Sequence, residues 1–171
     1  MELTGKRVAI LIEDMYQEHE FWYPFFRMKE AGATVTVVGT GGKEYHSKIG
    51  LPAPGGVAAE SVSAADFDAV IIPGGYAPDR MRRNAALLKL VRDCFTQGKI
   101  VAAICHAGWV LVSAGILKGK KATCVPAIKD DVVNAGATYV DQEVVRDGNL
   151  ITSRTPDDLP AFCRAIIAAL K

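Results

Sequence analysis

The chain has 171 residues, half of them hydrophobic, and its 20 basic side chains nearly cancel its 19 acidic ones, leaving a formal net charge of +1. That length buries a full hydrophobic core and suits one domain over residues 1–171. The balance excludes a disordered polyelectrolyte and gives no electrostatic reason to bind nucleic acid.

No apolar run reaches the roughly 20 residues of a membrane helix. The stretch before the first strand is too short for a signal peptide, so a soluble, cytoplasmic protein is expected. Cys94, Cys105, Cys124 and Cys163 are widely spaced with no CxxC pair, which argues against a zinc site and a disulfide framework. His19 and His46 lack partners at metal-ligand spacing; neither metal nor cofactor is expected.

Arg7 to Ile12 is a β-branched, apolar run without alternation, the pattern of a central parallel strand. Glu18 to Ala31 sets Phe21, Trp22, Phe25, Phe26 and Met28 at helical intervals and stops at Gly32. Thr34–Val38 and Ala69–Ile72 read as strands, the second ending at Pro73-Gly74-Gly75. Between them, Gly39–Ser63 has room for a small antiparallel excursion. Asn84–Gln97 is an amphipathic helix and Ile100–Ile104 a strand, with a second helix starting just past Cys105. Ala122–Val125 is a brief strand candidate and Asp130–Asn134 a helical turn. Glu143–Ile151 reads as a hairpin turning at Asp147-Gly148. Pro156–Leu170 closes the chain as a helix with Thr155 as N-cap. Alternating strands and helices predict a mostly parallel sheet between helical layers.

The informative stretch is Val101-Ala102-Ala103-Ile104-Cys105-His106-Ala107-Gly108. A nucleophile on a sharp strand-to-helix turn needs small neighbours two positions either side, and Ala103 and Ala107 supply them. The thiol then stands over the carboxyl ends of the strands, where open α/β sheets bind ligands. The positive N-terminal end of the following helix favours the thiolate. The alternative is a buried cysteine that ends a strand and does nothing more. His106 is placed to act as base or proton donor, or else to face solvent in the first turn; adjacent helical side chains diverge, which weighs against a direct Cys–His pair. Gly74 and Gly75 are candidate oxyanion donors, or an ordinary strand-ending turn.

IIPGG at Ile71–Gly75, AICHA at Ala103–Ala107 and TSRTPDDLPAF at Thr152–Phe162 together resemble the DJ-1/PfpI superfamily, closest to its PfpI-like branch, over nearly the whole chain. The resemblance implies a flavodoxin-like three-layer α/β sandwich, Cys105 at a nucleophile elbow, and homodimers that can assemble into hexamers. It also assigns Glu20, four residues before Pro24, as the glutamate that hydrogen-bonds the cysteine sulfur, a role that requires a protonated carboxyl. It matches Asp79 to an acid that reaches His106 from a neighbouring subunit, completing a Cys-His-acid set in trans.

Three positions depart from the family pattern. Ala107-Gly108-Trp109 replaces Gly-Pro-Gln after the histidine, which makes Trp109 a candidate to narrow the substrate pocket. Gln17 stands where relatives often carry a second glutamate, and Val125 where some carry a tyrosine. Cys94 and Cys163 read as helix packing residues, while Cys124 ends a strand that can open toward the same cleft.

Two versions of one function follow: Cys105 attacks the carbonyl of a peptide or amide, or that of methylglyoxal and its adducts, with lactate released by a deglycase or glyoxalase route. The alternative is a non-catalytic redox sensor or chaperone-like stress protein in which Cys105 is oxidised. A glutamine amidotransferase is set aside, since no histidine follows His106 and the last glutamate is Glu143.

Overall fold

The computed structural model describes residues 1–171. In chain order the elements are β1 (Arg7–Leu11), α1 (Glu18–Glu30), β2 (Thr34–Gly39), β3 (Glu44–His46), β4 (Pro52–Pro54), β5 (Val57–Ala58), β6 (Ala69–Ile72), α2 (Ala77–Met81) and α3 (Ala85–Thr96). There follow β7 (Ile100–Ile104), α4 (Gly108–Ala114), β8 (Lys121–Ala122), α5 (Lys129–Asn134), β9 (Thr138–Tyr139), β10 (Val145–Asp147), β11 (Leu150–Ser153) and α6 (Leu159–Leu170).

Seven strands form one sheet in the order β10-β11-β7-β6-β1-β2-β5. Every pair is parallel except β10 with β11. Helices α1 and α6 pack together on one face, and α3 and α4 on the other, so the mostly parallel α/β sandwich expected from the sequence is what forms. β6 and β7 are buried along their whole length, which is why they read as unbroken apolar runs. They anchor a contiguous core of 52 buried residues.

After β2 the chain crosses from one side of β1 to the other to lay down β6, so the sheet's switch point lies between the carboxyl ends of β1 and β6. The segments that leave β1, β6 and β7 there are the Glu13–Gln17 loop, Pro73-Gly74-Gly75 and the turn at Cys105.

The predicted excursion is the antiparallel pair β3–β4, which lies outside the main sheet; β5 then adds to the sheet edge beside β2. The Asn84 side chain caps α3 by accepting from the Leu87 amide at 2.9 Å. The hairpin turn is Gly148-Asn149, one residue beyond the predicted Asp147-Gly148, because Asp147 pairs with Leu150 and Gly148 takes the left-handed φ of 62°. The last helix opens as a 3-10 turn over Pro156–Asp158, and Thr155 makes no side-chain cap. Asp158 holds this start instead, accepting from the Arg154 amide at 3.1 Å and from its guanidinium at 2.9 and 3.0 Å. No helix is long and apolar enough to cross a membrane.

Candidate active site

Cys105 follows directly on β7 in the left-handed region, with φ 61°, a conformation that costs an L-residue roughly 1–2 kcal/mol. The turn that follows, Cys105–Ala107, is 3-10, and α4 begins only at Gly108. This backbone reverses the expectation that neighbouring side chains diverge: Cys105 Sγ and His106 Nδ1 are 3.3 Å apart. The backbone N–H groups of His106 and Gly75 favour the ionised form of the sulfur.

Glu20 reaches the same point from the first turn of α1 and is fully buried. Its Oε2 accepts from the Gly74 amide at 2.7 Å, while Oε1 has no hydrogen-bond partner. Burial raises the Glu20 pKa to about 7. Burial, and then the charge of an ionised Glu20, push the Cys105 thiol up to about 12. At neutral pH the pair therefore retains a proton, and protonated Glu20 withdraws the negative charge that opposes the thiolate. The short α4 does not outweigh burial, contrary to the expectation of a thiolate favoured by a helix end.

The glycines divide the work differently from the sequence reading. Gly74's amide is committed to Glu20 and so is not free to donate to a substrate oxygen, which leaves the Gly75 and His106 amides beside the sulfur. Its missing side chain matters: a Cβ there would stand 2.5 Å from Glu20 Oε2 and 2.8 Å from Cys105 Cβ. Gly75, at φ 81°, forms a bridge with Tyr16, and Gln17 N–H donates to the Gly74 carbonyl at 3.2 Å. Gln17 also caps α1 by accepting from the Glu20 amide at 2.9 Å, which sets the depth at which Glu20 enters the site.

His106 is half-buried, and burial, followed by the positive charge of Lys48, lowers its pKa. Its ring sits between Tyr76 and Trp109. Trp109 is tied back by its Nε1–H to Asp131 Oδ2 at 2.9 Å. Asp79 is not brought to His106 within the protomer; it is exposed on α2, where its carboxylate lies 3.8 Å from Arg83 Nη2. Cys124 is buried rather than open to the cleft, as are Cys94 and Cys163. Burial pushes Cys124 and Cys163 to about 12 and Cys94 to about 11. Val125 donates its amide to the Cys105 carbonyl at 3.5 Å.

His19 contacts Gln17 and His46 contacts Glu44, and no three His, Cys, Asp or Glu side chains converge as a metal site. Tyr76 and Lys48 at the opening were not foreseen. Tyr76 N–H binds the Met15 carbonyl, and Lys48 N–H the Tyr16 carbonyl, across long sequence separations that leave no local pattern.

Residues 6–169 match the DJ-1/PfpI family. A deglycase of Pyrococcus abyssi is 42% identical over 165 residues, covering 96% of this chain and 99% of its own. Protein/nucleic acid deglycase 2 of Escherichia coli is 41% identical, covering 97% of this chain and 98% of its own. Among solved structures, Drosophila melanogaster DJ-1beta superposes with a TM-score of 0.90 at 33% identity, covering 98% of this chain and 91% of its own.

Proposed function

Because the chain belongs to the DJ-1/PfpI family, we propose that it is a cysteine-dependent hydrolase in which Cys105 attacks the carbonyl of methylglyoxal or of its adducts on amino groups and thiols. The observation that carries this reading is the left-handed Cys105, whose sulfur meets His106 Nδ1 at 3.3 Å, while two backbone N–H groups favour its ionised form and the buried Glu20 acts on it. A residue held in that conformation is more strained than a packing cysteine needs to be.

With methylglyoxal, the sulfur adds to the aldehyde carbon and the carbonyl oxygen takes a proton, giving a hemithioacetal. The C1 proton then moves to C2, with Glu20 or His106 as its carrier, leaving a lactate thioester. Water cleaves that thioester, lactate leaves and the thiol is restored, so the sum is methylglyoxal plus water to lactate. The Gly75 and His106 amides are suited to the oxygen that gains charge during addition and hydrolysis. Protonated Glu20 is the nearby acid that returns a proton to the sulfur when it leaves. Relatives named as deglycases, one of them a protein/nucleic acid deglycase, favour this version, while one relative is named a putative cysteine protease.

Asp79 from a second copy is assigned to orient His106 in a homodimer or larger assembly. Its exposure on the surface, where it is paired only with Arg83 at 3.8 Å, supports this role.

The test is lactate formation from methylglyoxal by the purified protein and by Cys105→Ala. Lactate that disappears in the variant supports the reading. Equal lactate from both proteins, or none from either, overturns it; in the second case peptide and amide substrates, then thiol oxidation, are examined.

A further inference from the structure

Three rings lie in a row beside Cys105, Tyr76, His106 and Trp109, with neighbouring centroids 6.1 and 5.2 Å apart. A cation closes each end: Lys48 Nζ lies 5.7 Å from the Tyr76 centroid, and the Arg82 guanidinium carbon 5.7 Å from that of Trp109. The two cations differ in availability. Arg82 Nε donates to Ser113 Oγ at 2.9 Å and is partly buried, whereas Lys48 is exposed and forms no ion pair within 4.0 Å.

The backbone that carries Lys48 is nevertheless fixed. Its N–H donates to the Tyr16 carbonyl at 3.0 Å, and the buried Ser47 Oγ accepts from the amides of Ile49 at 3.2 Å and Leu51 at 2.9 Å. The nearby Glu18 carboxylate accepts from the Ile49 amide at 3.2 Å. The Lys48 charge acts on both Glu20 and His106, so its field reaches the two groups flanking the thiol.

We infer that Lys48 is a specificity-determining residue that favours substrates with a negative charge beside the carbonyl attacked by Cys105. The inference rests on Cys105 as the nucleophile. An ammonium on a four-carbon stem is a point charge with little directional demand, which suits a carboxylate or a phosphate equally. The shared chemistry is a small anion, from an amino acid adduct or a nucleotide adduct. Tyr76 and Trp109 add flat apolar walls for the rest of the molecule.

The experiment compares alkylation of Cys105 by iodoacetate and by iodoacetamide, reagents of similar size that differ in charge. In each, sulfur forms a bond to the methylene carbon and iodide leaves, so no turnover is required. The ratio of the two rates cancels any change in thiol pKa. Lys48→Gln is expected to lower the iodoacetate-to-iodoacetamide ratio about three- to fivefold, the scale of an exposed ion pair, and Lys48→Arg to retain it. High salt should depress the wild-type ratio toward that of Lys48→Gln. Protection by acetate against protection by inorganic phosphate ranks the two anion sources. An unchanged ratio in Lys48→Gln overturns the inference while leaving the methylglyoxal reading intact; absence of lactate formation with a lowered ratio does the reverse.

Discussion

The Gly74 amide donates to Glu20 Oε2 at 2.7 Å, joining the end of β6 to the first turn of α1 immediately behind the thiol. No side chain fits between them. Gly74→Ala should force Glu20 and Cys105 apart and destabilise the protein by about 1–3 kcal/mol, the usual cost of overpacking. Lactate formation should fall more than stability accounts for, measured at a temperature where urea titration shows the variant fully folded.

Glu20 should make stability depend on pH in a defined direction. Its folded pKa of about 7 lies above the ordinary 4.5, so between these values the folded state holds a proton that the unfolded state has released. The associated stability is present at low pH and lost as pH rises through 7. Glu20→Gln has no proton to lose. Its stability relative to wild type should therefore rise by about 3 kcal/mol between pH 4.5 and pH 8, read from urea unfolding of both proteins at each pH.

The strain at Cys105 is also measurable. Glycine adopts a φ of 61° freely and alanine does not. Cys105→Gly should therefore be more stable than Cys105→Ala by about 1 kcal/mol, although glycine is ordinarily the poorer choice in folded structure. Equal unfolding midpoints, or a more stable alanine variant, would mean that the elbow stores no strain.

If Asp79 serves the His106 of another copy, two inactive proteins should rescue each other. Asp79→Ala retains the thiol and Cys105→Ala retains the acid. Random exchange between dimers of the two leaves one competent site in each mixed dimer, so activity should recover to about a quarter of wild type. Mixing without recovery, despite subunit exchange shown by mass, would place Asp79 outside the reaction.

The sheet was legible where strands are buried on both faces, as at Arg7–Leu11, Ala69–Ile72 and Ile100–Ile104, because such strands must be continuously apolar. Helix α2 was not foreseen: five residues beginning Ala77-Pro78 are too few to show a period. The strand expected at Ala122–Val125 meets β8 (Lys121–Ala122) only at Ala122, and the two-residue β9 carries no pattern of its own. In the site, Cys105 and His106 stood out from their local surroundings, whereas Glu20 was singled out only through the family resemblance. The role of Gly74 turned on which acceptor its amide meets, a fact set by a segment 54 positions away. Lys48 enters through a loop whose sequence has no reason to look special.

That loop belongs to the β3–β4 hairpin, which stands apart from the main sheet and buries only Tyr45 and Ala53 among its strand residues. Its exposed positions can change with little penalty to the core, while the strands bearing Cys105 and Gly74 cannot. If Lys48 selects substrates as inferred, the reactive centre and the preference among substrates lie on separable pieces of chain. Substitution within the hairpin is a route by which descendants of one enzyme could diverge in diet without rebuilding their chemistry.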